Sequence, residues 1–337
     1  MQPLLLTMGD PTGIGPELII KALLDHAFEQ VRYPVKIVGD VAVLSRAGEI
    51  FGGKGIPEQL EENLYSLQFG DKKLLVHSCS DLDITSIQYG APDHHCGKAM
   101  ATYVEYAISR CLDKTAAGIV TAPINKAAIN AAGYHFPGHT ELLAERCGVK
   151  KVVMMLAGER LKVCLVTTHL PYREVPTQLS RAEILRTIEI TAHAFQHQFG
   201  IEKPRLAVLA LNPHASENGL FGDEEEKIIT PAIKAAQAAG LSVSGPHSAD
   251  TLFHFAAKGH YDAVICMYHD QGLIPLKLLH FDDAVNVTLG LPIIRTSVDH
   301  GTAYDLAGTG KANTASLIAA LKMAEQMANS TVKNQKF

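Results

Sequence analysis

Apolar residues in this chain gather into short runs of branched aliphatics, separated by stretches in which they recur every three to four positions. That is the pattern of buried strands alternating with amphipathic helices. Leu4-Leu5-Leu6-Thr7-Met8 predicts a first strand, followed by a Gly/Pro-rich turn over residues 9–16. Proline in a first helical turn with an acid beside it predicts a helix from Glu17. Strands are predicted at 35–39 and 118–121 and helices at 41–47 and 97–112, with short strands and loops between 52 and 92. Further helices are expected after Lys126, from residues 138–141, and at 181–199, 224–239, 251–257 and 313–328. Such alternation implies a layered α/β architecture, and no repeat or long linker interrupts it.

Three apolar runs each end on a histidine: Val163-Cys164-Leu165-Val166-Thr167-Thr168-His169, Leu206-Ala207-Val208-Leu209-Ala210-Leu211-Asn212-Pro213-His214 and Ala263-Val264-Ile265-Cys266-Met267-Tyr268-His269. If the three strands share a parallel sheet, their carboxyl ends lie on one edge, where α/β proteins place their ligand crevice. Three converging imidazoles would form a ligand set for a catalytic divalent metal with open positions for substrate. Any one of them alone is more often a hydrogen-bonded surface or core residue, and it is the repetition that brings the metal reading forward.

Composition narrows the function classes. The chain has 337 residues, 47% of them hydrophobic and 19% charged, which describes a globular protein large enough for two domains. A net charge of -5, with no basic stripe, argues against nucleic-acid binding. The longest apolar runs fall short of the roughly 20 residues that cross a bilayer, and the amino terminus lacks a charged leader. A cytoplasmic protein without a membrane role is expected. The six cysteines form no C-x-x-C pair and read as reduced thiols.

Smaller motifs carry less. Gly13-x-Gly15 has Leu18 where a third glycine would complete a dinucleotide fingerprint, and no Walker lysine follows. Asp93-His94-His95-Cys96 is a local group of metal-ligand types, but on a strand or flexible loop its neighbours would diverge. His139 and Thr140 begin an expected helix, where an anion is favoured; an ordinary N-cap by Thr140 is the alternative. Lys277, Asn286 and Arg295 follow the third histidine run and could hold phosphate or carboxylate oxygens. Arg295 stands out because it follows the apolar Pro292-Ile293-Ile294, where an unpaired charge is costly.

The loop from His300 through Gly301, Thr302, Ala303, Tyr304, Asp305 and Gly308 to Asn313 resembles the cofactor loop of the isocitrate and isopropylmalate dehydrogenase superfamily. Its glycines permit close backbone approach to a ligand. That superfamily's usual metal ligands are aspartates, whereas histidines stand here, a departure that points to the 4-hydroxythreonine-4-phosphate dehydrogenase family. The resemblance runs almost end to end, through Gly9-Asp10-Pro11-Thr12-Gly13-Ile14-Gly15-Pro16-Glu17, Gly138-His139-Thr140-Glu141, Thr167-Thr168-His169-Leu170-Pro171, Leu211-Asn212-Pro213-His214-Ala215, Tyr268-His269-Asp270-Gln271-Gly272 and Arg295-Thr296-Ser297-Val298-Asp299-His300-Gly301-Thr302. Thr12 replaces the expected alanine or serine.

The resemblance implies an isocitrate/isopropylmalate dehydrogenase-like α/β fold of two domains with a cleft between them. Residues 1–124 and 281–337 would form the cofactor-binding domain, and 125–280 the dimerisation and metal/substrate domain. It implies NAD- or NADP-dependent oxidation of 4-phosphooxy-L-threonine to a 3-oxo acid that decarboxylates to 3-amino-2-oxopropyl phosphate, in pyridoxine 5'-phosphate biosynthesis. His169, His214 and His269 would hold Zn, Co, Mg or Mn. His139, Thr140, Lys277, Asn286 and Arg295 would bind substrate, with Lys277 also catalytic. His300, Gly301, Thr302, Ala303, Asp305, Gly308 and Asn313 would bind the cofactor. Asp250 is a candidate proton acceptor, and equally an N-cap of the helix after it. A homodimer is implied, its sites shared so that His269 faces the partner's His169. Sister activities on 4-phospho-D-threonate or 4-phospho-D-erythronate are the nearest alternative, ahead of a metal-dependent hydrolase or aldolase of phosphorylated substrates.

Overall fold

The computed structural model describes residues 1–136 and 138–334. Thirteen strands are present among them: β1 Leu4–Thr7, β2 Val35–Gly39, β3 Ile56–Glu61, β4 Leu64–Phe69, β5 Lys72–Ser78, β6 Gly118–Thr121, β7 Val153–Ala157, β8 Lys162–Leu165, β9 Leu206–Leu209, β10 Val243–His247, β11 Ala263–Cys266, β12 Val285–Leu289 and β13 Arg295–Val298. The chain divides into two compact units, Met1–Lys150 with Leu291–Ala328, and Lys151–Gly290 with the chain from Asn329 on. The units thus part at Lys150/Lys151 and Gly290/Leu291, against the sequence expectation of crossings after residues 124 and 280.

In the first unit the strands run β13-β6-β1-β2-β5-β4-β3. The first five are mutually parallel, while β5/β4 and β4/β3 are hairpin-like and antiparallel. β1 is buried along its whole length, as expected of a central parallel strand covered on both faces. The following turn fits because Gly9 carries φ +72° and a Cβ there would lie 2.3 Å from the Pro123 carbonyl oxygen. The helix begins at Gly15, two residues before the predicted start, with Pro16 at the position where a missing N–H costs nothing. The predicted helix at 97–112 begins at His94, because Asp93 caps it by accepting the Cys96 N–H at 2.8 Å.

The second unit orders its strands β10-β9-β11-β8-β7-β12. β10, β9, β11 and β8 are parallel; β7 is antiparallel to both β8 and β12. Val163, Leu165, Ala207, Leu209, Val264 and Cys266 pack with Leu252, Ala256 and Leu276 into one core. Each valine or leucine among them contributes on the order of 1.5–3 kcal/mol by burial. Strands β7, β10, β12 and β13 and the helix His269–Leu279 were not anticipated from the sequence. The predicted helix at 224–239 opens instead with a π-helical turn, Glu225–Ile229, before Thr230–Ala238. Among the described residues, no helix is long and apolar enough to cross a membrane.

Candidate active site

In the second unit the three histidine-bearing strands are adjacent and parallel, β11 lying between β8 and β9. Their carboxyl ends therefore share one edge, as the apolar runs predicted. Pairing continues past the strands: the Val166 N–H donates to the Cys266 carbonyl at 2.9 Å and the Thr167 hydroxyl to Met267 O at 2.7 Å. Gln271 joins the other two ends. Its Oε1 accepts the Met267 N–H and its Nε2 donates to the Ala210 carbonyl, both at 2.7 Å.

His269 is the first residue of the helix His269–Leu279. Its ring lies 5.8 Å from that of His169, and both line a cavity of about 260 Å³ with Tyr172, Tyr268 and Asp270. Asp270 Oδ1 lies 2.7 Å from His269 Nδ1, fixing the ring's orientation. His214 stands on a different kind of support. Residues His214, Ala215, Ser216, Glu217 and Asn218 have φ of 52°, 52°, 66°, 45° and 57°, a left-handed turn without a glycine. Each such residue costs roughly 1–2 kcal/mol, so the turn persists only because its surroundings enforce it.

The Ser248 hydroxyl donates to Asp250 Oδ1 at 2.5 Å, and this bond, aided by nearby His214, holds the carboxyl below its usual range. Ser248, not Asp250, occupies the N-cap position. Lys277 lies on the helix begun by His269, its ammonium 5.5 Å from the Phe281 ring, and Asn286 lies on β12 opposite Leu156. The structure thus pairs His169 with His269 and sets His214 near Asp250. Within one chain the three imidazoles do not close into a ligand set. Among the described residues, Asp93, His94 and His95 alone bring such ligand atoms within 4.8 Å of one another. Asp93 to His95 lie at a helix start rather than on the strand or loop assumed for them, so their side chains converge, exposed to solvent.

In the first unit, Arg295 opens β13 and is almost fully buried. It donates to the Thr121 hydroxyl at the end of β6 at 2.9 Å. Burial pushes the guanidinium down to about 10, against the pull of Glu141. His139 begins the helix His139–Arg146, whose N-cap is Gly138, so Thr140 is not the cap. Burial, then Arg295 and Lys126, drive the His139 imidazole well below its ordinary pKa. It is a neutral ring among cations. Lys126 was missed in the sequence; its one signal is its place just past the carboxyl end of β6.

The loop after β13 is held from several sides. Glu17, buried, accepts the Gly308 N–H at 2.9 Å, while Lys21 donates to the carbonyls of Gly310 and Ala312 at 3.3 and 2.9 Å. Burial raises the Glu17 pKa, and the loop amides oppose that shift. Tyr304 donates to Asp10 Oδ2 and receives a bond from Asn125 Nδ2, both 2.6 Å long. Burial and Asp10 push the phenol up to about 12. Thr302 accepts the Ile14 N–H at 3.1 Å, Ala303 is left-handed at φ 43°, and His300 Nδ1 lies 3.0 Å from the Gly301 carbonyl. Gly308 has φ +81°, and a Cβ there would meet the Tyr89 ring at 2.6 Å. Asp305 is exposed, and Asn313 Oδ1 caps the final helix by accepting the Ala315 N–H at 2.9 Å. These bonds pre-form the loop, and the amides of Leu306, Ala307, Gly308, Thr309 and Lys311 are taken up within the chain.

In each unit polar groups gather beyond the carboxyl ends of parallel strands, where α/β proteins place a ligand site. Residues 31–324 match the family model described as pyridoxal phosphate biosynthetic protein PdxA. The chain is 52% identical over 326 residues to the 4-hydroxythreonine-4-phosphate dehydrogenase of Geobacter metallireducens, covering 96% of this chain and 95% of that protein. It is 43% identical over 327 residues to the D-threonate 4-phosphate dehydrogenase of Salmonella typhimurium, covering 96% and 98%. The crystal structure of the Klebsiella pneumoniae 4-hydroxythreonine-4-phosphate dehydrogenase superposes with a TM-score of 0.86 at 39% identity, covering 97% of this chain and all of that one. The chain belongs to the PdxA family of pyridoxal phosphate biosynthetic proteins.

Proposed function

We propose that the chain is a metal- and NAD(P)-dependent dehydrogenase that oxidises the C3 hydroxyl of 4-phosphooxy-L-threonine, giving a 3-oxo acid that loses CO2. The single observation that carries this reading is the shared carboxyl edge of β8, β11 and β9, each leading into a histidine. His169, His214 and His269 are nitrogen donors that suit zinc or cobalt, with magnesium and manganese less favoured by ligand type. A bound divalent cation supplies a Lewis acid that lowers the pKa of a hydroxyl and stabilises charge on oxygen. Arg295, Lys277, Asn286, Thr140 and neutral His139 bind the substrate's phosphate and carboxylate, the guanidinium through its planar fork. Asp250, held ionised by Ser248, takes the hydroxyl proton. His300, Gly301, Thr302, Ala303, Asp305, Gly308 and Asn313 bind the nicotinamide cofactor.

The active unit is a homodimer whose sites are shared. Ile274 and Leu278, on the helix begun by His269, and Phe281, in the turn after it, are 61%, 81% and 75% exposed, and Tyr172, which lines the cavity with His169, is 70% exposed. Large apolar groups clustered on the histidine-bearing elements need a cover, and a second copy provides one.

Turnover at 340 nm with a panel of 4-phosphooxy-L-threonine, 4-phospho-D-threonate and 4-phospho-D-erythronate tests the reading. The amino acid phosphate is expected to give the highest kcat/KM. Preference for a hydroxy acid phosphate would support instead the activity named for the Salmonella relative. No nicotinamide reduction with any of the three, in metal-loaded protein, would overturn the dehydrogenase reading. Chelation is expected to abolish turnover and added divalent metal to restore it; full activity of metal-free protein would remove the role given to the histidines.

Arg295→Lys keeps the charge but loses the fork, so KM for substrate is expected to rise at least tenfold. Unchanged KM with a lowered melting temperature would make Arg295 a structural residue, since it also bonds Thr121.

A further inference from the structure

The left-handed turn that carries His214 is closed locally at its far end, where the Ser216 hydroxyl accepts the Gly219 N–H at 2.9 Å and Asn218 tolerates positive φ. Its entry, before Pro213 and His214, is held by a carboxylate eleven positions beyond His214. Glu225 is buried, and its Oε1 accepts the backbone N–H groups of both Leu211 and Asn212 at 2.8 Å. Its Oε2 accepts Asn212 Nδ2 at 3.0 Å, and the same amide donates to Glu224 Oε2 at 2.7 Å. One buried anion therefore fixes the two residues before Pro213 and His214, at the point where β9 has ended and the chain turns left-handed. Glu225 also opens the π-helical turn Glu225–Ile229, an irregularity frequent at functional sites.

We propose that Glu225 is a positioning residue for His214: its carboxylate clamps the Leu211–Asn212 backbone and so holds the strained turn that presents the imidazole for metal binding. The inference rests on the metal reading above. A carboxylate suits this site, because its three hydrogen-bond partners here, the Leu211 and Asn212 N–H groups and the Asn212 amide, are all N–H donors. Glu225→Gln would turn an amide NH2 toward donors and remove the charge, leaving the turn free to relax to right-handed or extended backbone.

The test uses full-length protein stripped of metal and titrated with Co²⁺, followed by the visible d–d absorption and by competition with a chromophoric chelator. Glu225→Gln is expected to weaken Co²⁺ binding by about 10- to 100-fold, the range for loss of a supporting partner, and to alter the d–d spectrum. In a His214→Ala background the same change should have no further effect on affinity. Ala215→Gly, which lets residue 215 adopt φ near 52° without a side-chain penalty, should recover part of the affinity lost in Glu225→Gln. That double variant also guards against misfolding of the single one, since it eases the same turn. Unchanged Co²⁺ affinity and spectrum in a folded Glu225→Gln protein, whatever its melting temperature, would overturn the proposal. So would an equal loss in the His214→Ala background. Wild-type protein that binds no Co²⁺ would overturn the metal reading and this inference together, whereas loss in His214→Ala with none in Glu225→Gln removes this inference alone.

Discussion

His214→Ala is expected to lose more than 100-fold in divalent-metal affinity and to show no measurable turnover. Removing a nitrogen donor exceeds the roughly 10- to 100-fold that loss of a mere supporting partner costs. The fold should survive, because alanine already occupies the neighbouring left-handed position at residue 215 and the His214 ring has Phe221, 6.2 Å away, as its aromatic neighbour. Metal content after dialysis, Co²⁺ titration and the melting temperature separate the two effects. Unchanged metal content in a folded variant would show that a histidine beyond a strand end is, here, only a surface residue.

The strands that carry this argument were legible because burial on both faces leaves a simple signature. Val163 to Leu165, Leu206 to Leu209 and Ala263 to Cys266 are runs without a polar break, and all of these residues are buried. Their parallel adjacency followed from α/β alternation. β7, Val153–Ala157, carries the same unbroken apolar run and β12, Val285–Leu289, alternates apolar with polar residues, so both were within reach of the same pattern though neither was predicted. The turn at His214 was not legible at all. In His-Ala-Ser-Glu-Asn only the histidine and the asparagine favour positive φ, too little to announce a left-handed turn over five residues, and the hold of Glu225 on its entry is a tertiary contact that local propensity cannot register. The same holds for the cofactor-type loop. Its motif was recognisable, but the clamps from Glu17, Lys21 and Asp10 come from residues about 290 positions away. Asp93, His94 and His95 misled in the opposite direction: a helix start brings together what a strand would have separated.

The shared site has the sharpest test, because one chain already offers a competing arrangement. His169 and His269 of the same chain line a single small cavity with rings 5.8 Å apart, so both could serve one intrachain site. Against that stands the failure of the three imidazoles to close within the chain, and the exposed Ile274, Leu278 and Phe281 beyond His269, which a second copy would cover. Inactive His169→Ala and inactive His269→Ala proteins, unfolded and refolded together, distinguish the two. If each site takes His169 from one subunit and His269 from the other, every mixed dimer holds one doubly defective site and one intact site. Random pairing makes half the dimers mixed, so roughly a quarter of wild-type activity is expected to return. If both histidines serve a site within one chain, each site in a mixed dimer keeps a defect, and no activity returns. Mixed dimers demonstrated by differential tagging, yet without activity, would therefore place His169 and His269 in one site within a single chain.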